Sequence, residues 1–462
     1  MSDKFHCEPE MEDFQEPTNN VEVKNRKFGI TLEPVMMLIN IGIHANLMVQ
    51  TNLFEERVCL HSDLGQNKSV NCYNMTTAEQ EIVQPAAANF LMIKNLIETF
   101  IPCIMTLFLG VWSDVNGRIP LLLIAISGMV LSNCMFSAFS TIPNLSPVMF
   151  LLCSLPIALS GGTSVLYLAA FCYFVDIIDS KSRAFRLGVL YTFINFGSIL
   201  GSVLSSILYN KSTTYVYCLS SFVSIAGLLY TYTFLEESVV IKMGANIKLF
   251  NIKLVKDMWQ TVIKQRQGYL RCVIILSALS LTLNFIILLG ESSYRYMYLQ
   301  KQFGWTMEKY LPFTAYMTLL HGSSHRDKNF TTLSTVPVIV VYVFNTKLQI
   351  PEMFIVTAVT TLGIFEKVGF AYSVYEWQFY AVEVVGSTVY ATPTLVRSQL
   401  SKYLPSKDIG KILTFISLVE SHGLLLYSPL YNMVYVSTIH NFANYIFFFS
   451  AILGTFMFGL FG

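Results

Sequence analysis

Charged residues inside long apolar runs are the groups in this sequence best placed to do chemistry. Lys94 and Glu98 stand four apart in the run at 86–111. Glu366 and Lys367 are adjacent in the run at 351–373, Glu383 lies in 378–396, and Glu420 lies in 411–435. A charge at mid-membrane costs about 2.5–3.5 kcal/mol on insertion scales, so each of these should face a partner or a cavity. Lys94 and Glu98 share a helix face and can neutralise one another. The other reading puts Glu98 in a central cavity as a cation or proton site. Glu366 and Lys367 diverge by about 100° around a helix, so they cannot face one neighbour and at least one should point inward. Glu383 and Glu420 are further inward-facing candidates, with His422 on a different side of the helix from Glu420. Tyr167, Phe171, Phe174 and Tyr191 could stack on a flat heterocycle, although packing or lipid contact is the commoner use of such rings.

A second set of charges lies between the runs. In Gly110-Val-Trp-Ser-Asp114-Val-Asn-Gly117-Arg118-Ile-Pro120, Gly110 allows close helix approach and Gly117 permits a tight turn. Asp114 and Arg118 are opposite charges four residues apart at the membrane edge. They can pair with each other or with partners on another bundle, as a lock that breaks and re-forms. In Asp176-Ile-Ile-Asp179-Ser-Lys181-Ser-Arg183-Ala-Phe-Arg186, an acid closes one run and arginines open the next. A third corner, Arg397-Ser-Gln-Leu-Ser-Lys402 through Gly410-Lys411, has a basic cluster and a glycine in the equivalent place of the second half.

The elements that must hold these groups follow from composition. The chain has 462 residues, of which 53% are hydrophobic and 13% charged. A soluble domain carries about 25% charged residues. The mean hydropathy of +0.53 and net charge of +1 describe an all-α polytopic membrane protein with no basic field for nucleic acid. Helical runs fall at 33–53, 86–111, 119–140, 147–177, 187–209 and 214–235, then at 269–291, 330–346, 351–373, 378–396, 411–435 and 441–462. The order is a cytoplasmic tail at 1–32, six spans at 33–235, a basic cytoplasmic linker at 236–268 and six spans at 269–462. Lys24, Arg26 and Lys27 before the first run place both termini in the cytoplasm. Loops at 52–85 and 292–329 then lie outside. All five N-x-S/T sequons fall in or beside predicted outside loops, with Asn67 and Asn74 the accessible acceptors. Cys59 and Cys72 share the first outside loop, where a disulfide or two separate thiols would fit. The eighth span is the weakest, because 321–329 is too polar for lipid. No Walker loop, G-x-S-x-G or H-E-x-x-H is present, which argues against an ATP-driven pump or a membrane hydrolase.

The G-x-x-x-D-x-x-G-R corner resembles the major facilitator superfamily. Together with Ser180-x-Ser182-Arg183-x-Phe-Arg186 and Arg397-Ser-x-Leu-Ser-Lys402, it is similar to solute carrier family 46, the group of the proton-coupled folate transporter. The resemblance implies a major facilitator fold, with twelve transmembrane helices in two six-helix bundles. It implies a secondary carrier of small organic anions, folate-like or muramyl-peptide-like, at the plasma membrane or an endolysosomal membrane. No cofactor is expected beyond a coupling ion, for which H+ is the candidate; no metal is expected, and the partners are the anion and the bilayer. Asp114, Arg118 and Arg397 inherit family roles in gating and in substrate or proton handling. Two positions depart: the folate carrier's span-five glutamate is Tyr191 here, and the run Asn284–Gly290 lacks its histidine. Both missing groups titrate, which argues against that proton route and against folate. A non-transporting receptor of the same fold is the alternative.

Overall fold

A computed structural model describes residues 32–62, 72, 75–178, 183–238, 269–321, 340–404, 406–440 and 442–460. Asn67, Asn74 and the body of the basic linker lie outside the described residues. The first half begins with α1 (Glu33–His61), whose Pro34 sits in the first turn, where a missing N–H costs nothing. α2 (Thr77–Asn116) opens on a capping box, with the Thr76 N–H donating to the Glu79 carboxylate at 2.7 Å. Its 40 residues span about 60 Å, twice the hydrocarbon core, so it projects beyond the bilayer. α3 (Arg118–Ser140) follows at once. The fourth pass is broken into α4 (Pro147–Leu152), α5 (Ser154–Leu159) and α6 (Gly162–Ile177). The second break rests on Gly161 and Gly162, both at positive φ. α7 (Arg183–Tyr209) and α8 (Thr213–Phe234) complete this half.

The second half begins with α9 (Leu270–Phe303) and α10 (Met307–His321). After 322–339, which lie outside the described residues, a π-helical turn runs from Val341 to Lys347. Then come α11 (Glu352–Ala371), α12 (Glu376–Gly386), a 3-10 turn (Ser387–Ala391), α13 (Thr392–Tyr403), α14 (Ser406–Thr438) and α15 (Tyr445–Gly459). Among the described residues, α10 and the π-helical turn flank 322–339 in the place of the eighth pass. Among the described residues, seven helices are long and apolar enough to cross a membrane. Large side chains such as Phe222, Leu229, Phe365 and Ile452 are exposed on the outer faces, as lipid contact requires.

The expected outside loop at 292–329 is not observed. α9 continues through that stretch to Phe303, the chain turns on Gly304 in the left-handed region, and α10 starts the eighth pass at Met307. The reason is electrostatic. Glu291 and Arg295 are both buried and lie one helical turn apart, so charges that read as a loop are paired inside the protein.

Close approach between α1 and α7 depends on small residues. A Cβ on Gly197 would meet the Met37 carbonyl oxygen at 2.4 Å, and one on Gly201 would meet that of Ile41 at 2.4 Å. One turn further on, the Ser205 hydroxyl donates to the Ala45 carbonyl at 3.1 Å. Backbone contact at a spacing of four residues supplies the van der Waals packing that lipid-embedded helices lack otherwise.

Helices α1–α8 pack mainly on one another, as do α9–α15, and the two sets meet along α2 with α14 and α7 with α10. The interior is asymmetric along the membrane normal. At the end nearest Cys59 and Cys72, one apolar core is shared by both sets, joining Leu53, Phe54 and Ala87 to Tyr294, Tyr298 and Tyr435. At the opposite end the core divides. One part, with Val35, Leu121 and Leu166, belongs to the first set; the other, with Ile274, Val356 and Leu395, belongs to the second.

Candidate functional site

At the end where the core divides, Gly117 turns α2 into α3 with φ 102°. The Glu237 carboxylate accepts from the N–H groups of Arg118 (2.8 Å) and Ile119 (3.0 Å). It thereby satisfies two of the donors orphaned at a helix start and places negative charge at the positive end of the dipole. The Arg118 side chain donates to Asp176 at 3.0 Å and to Ser113 at 2.6 Å. Arg186 pairs with the fully buried Glu33 at 3.1 Å. The corner residues thus meet inside the first half, and two of their partners, Glu237 and Glu33, were not anticipated. Glu237 was readable as an acid just after the sixth run, at the same membrane edge as Arg118. The surroundings of Gly110 and the side chains of Asp114, Arg183 and His422 lie outside the described residues.

Nearer the centre, Arg397 on α13 pairs with Glu420 on α14 at 2.5 Å. The arginine side chain is 36% exposed and the glutamate 9%, so the guanidinium keeps an open face. Tyr191 on α7 belongs to the other half. Behind Tyr191 the rings continue, Phe171 at 5.3 Å and Tyr167 a further 6.2 Å along. The Tyr167 hydroxyl donates to Asn40 at 2.6 Å. Phe174 does not join this row, because it is fully buried beneath Arg186. A partly exposed guanidinium in one half and a row of aromatic rings in the other suit a flat or apolar body carrying negative charge.

The other intramembrane charges singled out in the sequence are paired. Lys94 reaches Glu98 at 2.7 Å, and Ser154 donates to the other Glu98 oxygen at 2.7 Å. Glu366 and Lys367 do not diverge as expected. The lysine stem is long enough to bring its ammonium back to Glu366 at 2.8 Å while also touching Glu291 at 2.7 Å. Glu383 is buried against Arg295 (3.2 Å) and His321 (2.7 Å) rather than facing a cavity alone. Glu291, Arg295 and His321 were missed in the sequence because all three fell in or beside the supposed outside loop. The i, i+4 spacing of Glu291 and Arg295 was the available signal. Cys59 and Cys72 are joined by a disulfide. Among the described residues no three His, Cys, Asp or Glu side chains converge as metal ligands.

The polar contacts between the halves gather at the disulfide end. Glu81 pairs with Lys301 at 2.8 Å, Gln84 accepts from the Tyr435 hydroxyl at 2.7 Å, and Asn432 donates to Asn89 at 2.7 Å. Tyr296 donates to Asn52 at 3.3 Å, joining α9 to α1.

This two-set helical architecture has counterparts of known structure. The human organic anion transporter MFSD10 (TETRAN) superposes with a TM-score of 0.62 and 14% identity, covering 94% of this chain and 100% of its own. A D-xylose-proton symporter does so with a TM-score of 0.62 and 15% identity, covering 92% and 96%. The family model of the Major Facilitator Superfamily matches residues 85–421, and the chain belongs to that superfamily of multi-pass membrane proteins. Within it the likeness is to solute carrier family 46, as the corner motifs implied. A protein named as a probable peptidoglycan muropeptide transporter SLC46, from Drosophila melanogaster, is 25% identical over 384 residues, 80% of this chain and 72% of that one. The proton-coupled folate transporter of Bos taurus is 21% identical over 415 residues, 88% of this chain and 86% of that one.

Proposed function

We propose that this chain is a secondary carrier of small organic anions that works by alternating access. The observation that carries the reading is the partly exposed Arg397, held by Glu420 at 2.5 Å in one half, together with the row of rings at Tyr191, Phe171 and Tyr167 in the other. One half offers an arginine with an open face, and the other offers a row of aromatic rings. The disulfide end is closed by a shared core and by hydrogen bonds, while the core is divided at the other end. With the disulfide end placed outside, the joined end would be the extracellular gate and the end where the core divides the cytoplasmic one. Arg118, Asp176 and Glu237 then belong to the cytoplasmic edge, where Asp114 and Arg183 are also expected to act in gating. Anions of the class carried by the muropeptide and folate relatives fit the same charge and shape. The loss of the folate carrier's glutamate at Tyr191 favours a solute other than folate. H+ is the proposed coupling ion, both termini are placed in the cytoplasm, and Asn67 and Asn74 are the proposed glycosylation sites.

The test is uptake of a folate, a muramyl peptide and a cyclic dinucleotide into proteoliposomes holding the full chain, at two external pH values. Saturable uptake of at least one anion, lost in Arg397→Ala, supports the reading. Binding without uptake would discard it in favour of a receptor of the same fold.

A further inference from the structure

Inside the second half lies a row of charges that anion binding at Arg397 does not use. Glu366 contacts Lys367 at 2.8 Å; Lys367 contacts Glu291 at 2.7 Å. Arg295 stands 3.8 Å from Glu291 and 3.2 Å from Glu383; Glu383 stands 2.7 Å from the His321 imidazole. The signs alternate along the row, and it draws on α9, α10, α11 and α12. Both cations flank the Phe370 ring, at 5.4 and 5.8 Å. Tyr310, Tyr316, Tyr390 and Tyr431 are the other titratable groups near it. The five charged side chains are each at most 6% exposed.

The row does not balance. Three carboxyl groups meet two cations, so with every carboxyl ionised and the imidazole neutral one negative charge is uncompensated. Burying a lone charge is among the costliest things a protein can do, because low dielectric removes its hydration. Adding one positive charge at the end of the row cancels the excess. His321 is placed to carry it. It ends the row, touches a carboxylate, and at 14% is the most exposed of the six side chains. Its ring also stacks on Tyr390 with centroids 3.8 Å apart, which fixes its orientation.

We propose that this row is a proton-binding site: one proton from the solvent is taken up at the His321–Glu383 end and makes the buried charges neutral. No bond other than the N–H or O–H of that pair forms or breaks. The site replaces the two titratable groups that the folate-carrier pattern would require and this chain lacks. It rests on the carrier reading only for its coupling role; proton binding itself needs no transported solute.

The experiment is therefore run first without one. Purified full chain in nanodiscs is titrated by infrared difference spectroscopy, with pH-jump counting of protons taken up. A single titrating imidazole–carboxyl signal is expected, absent from His321→Gln and from Glu383→Gln. A signal that survives in His321→Gln, or that vanishes only in Glu366→Gln, would overturn the assignment. Should Glu383→Gln fail to fold, His321→Gln decides alone, since removing a neutral, partly exposed imidazole leaves the Arg295–Glu383 pair in place. In proteoliposomes, His321→Gln should lose acceleration by an inward proton gradient yet keep solute exchange at equal pH. Retained acceleration would overturn the coupling role. If the wild-type chain moves no solute, the carrier reading fails and the infrared result still stands or falls separately.

Discussion

Glu55 on α1 is completely buried where the halves meet, with Tyr209, Tyr296, Tyr435 and Gln300 around it and, among the described residues, no cation paired with it. A neutral amide of the same size should therefore fit there at no cost. Glu55→Gln is expected to match or exceed the wild-type melting temperature, and Glu55→Arg to lower it sharply; thermal unfolding in detergent reads both. At the proposed anion site Arg397 stays partly exposed. A hydrogen bond to a charged group is worth about 1.5–3 kcal/mol, so Arg397→Ala should weaken anion affinity by roughly 10- to 100-fold. Arg397→Lys keeps the charge but not the forked geometry and should recover only part of that loss in a binding titration. Arg118 and Asp176 were legible at this scale because both lie at a predictable membrane edge, whereas Glu33 and Glu237 were not singled out. The Glu291–Arg295–Glu383–His321 contacts were not legible, since hydropathy counts a charge as a loop whether or not a distant helix neutralises it.

Helix contacts give sharper expectations than propensity does. A side chain at Gly201 would collide with the Ile41 backbone, whereas a Cβ on Gly227 would meet only the Ile39 side chain, at 3.4 Å. Gly201→Val should cost about 1–3 kcal/mol of overpacking, while Gly227→Ala should be neutral or gain up to about 1 kcal/mol of helix propensity. Denaturation midpoints would separate the two. Gly386 has a more particular task. A Cβ there would lie 1.9 Å from the Glu366 carboxyl carbon, so only glycine lets α12 pass over the buried charge row. Gly386→Ala should displace Glu366 from Lys367 and lower stability. At Gly117 the left-handed backbone and the Glu237 carboxylate both exclude a side chain, so Gly117→Ala should loosen the α2–α3 corner. Spans one to six were readable as apolar runs of helical length. Spans seven and eight were misplaced because α9 carries its charges into the protein core and α10 follows after only three residues.

For the molecule as a whole, the arrangement is two helical sets joined firmly at one end. Breaking that joint should favour its opening. Tyr435→Phe with Gln84→Ala removes the hydrogen bond between α14 and α2, and the population should shift toward opening at the disulfide end. Arg118→Ala acts at the other edge. The Arg118–Asp176 pair is partly solvated and worth about 1 kcal/mol or less, so the variant should fold normally while its transport rate changes. The most direct test of rocking between two states is pulsed spin-label distance measurement on one preparation carrying either of two label pairs. One pair, at Met75 and Ser437, spans the disulfide end; the other, at Asn116 and Tyr403, spans the opposite end. With a transported anion added, the account predicts opposed changes, one distance growing as the other shrinks. Two distances that stay fixed, or that change in the same direction, would contradict it.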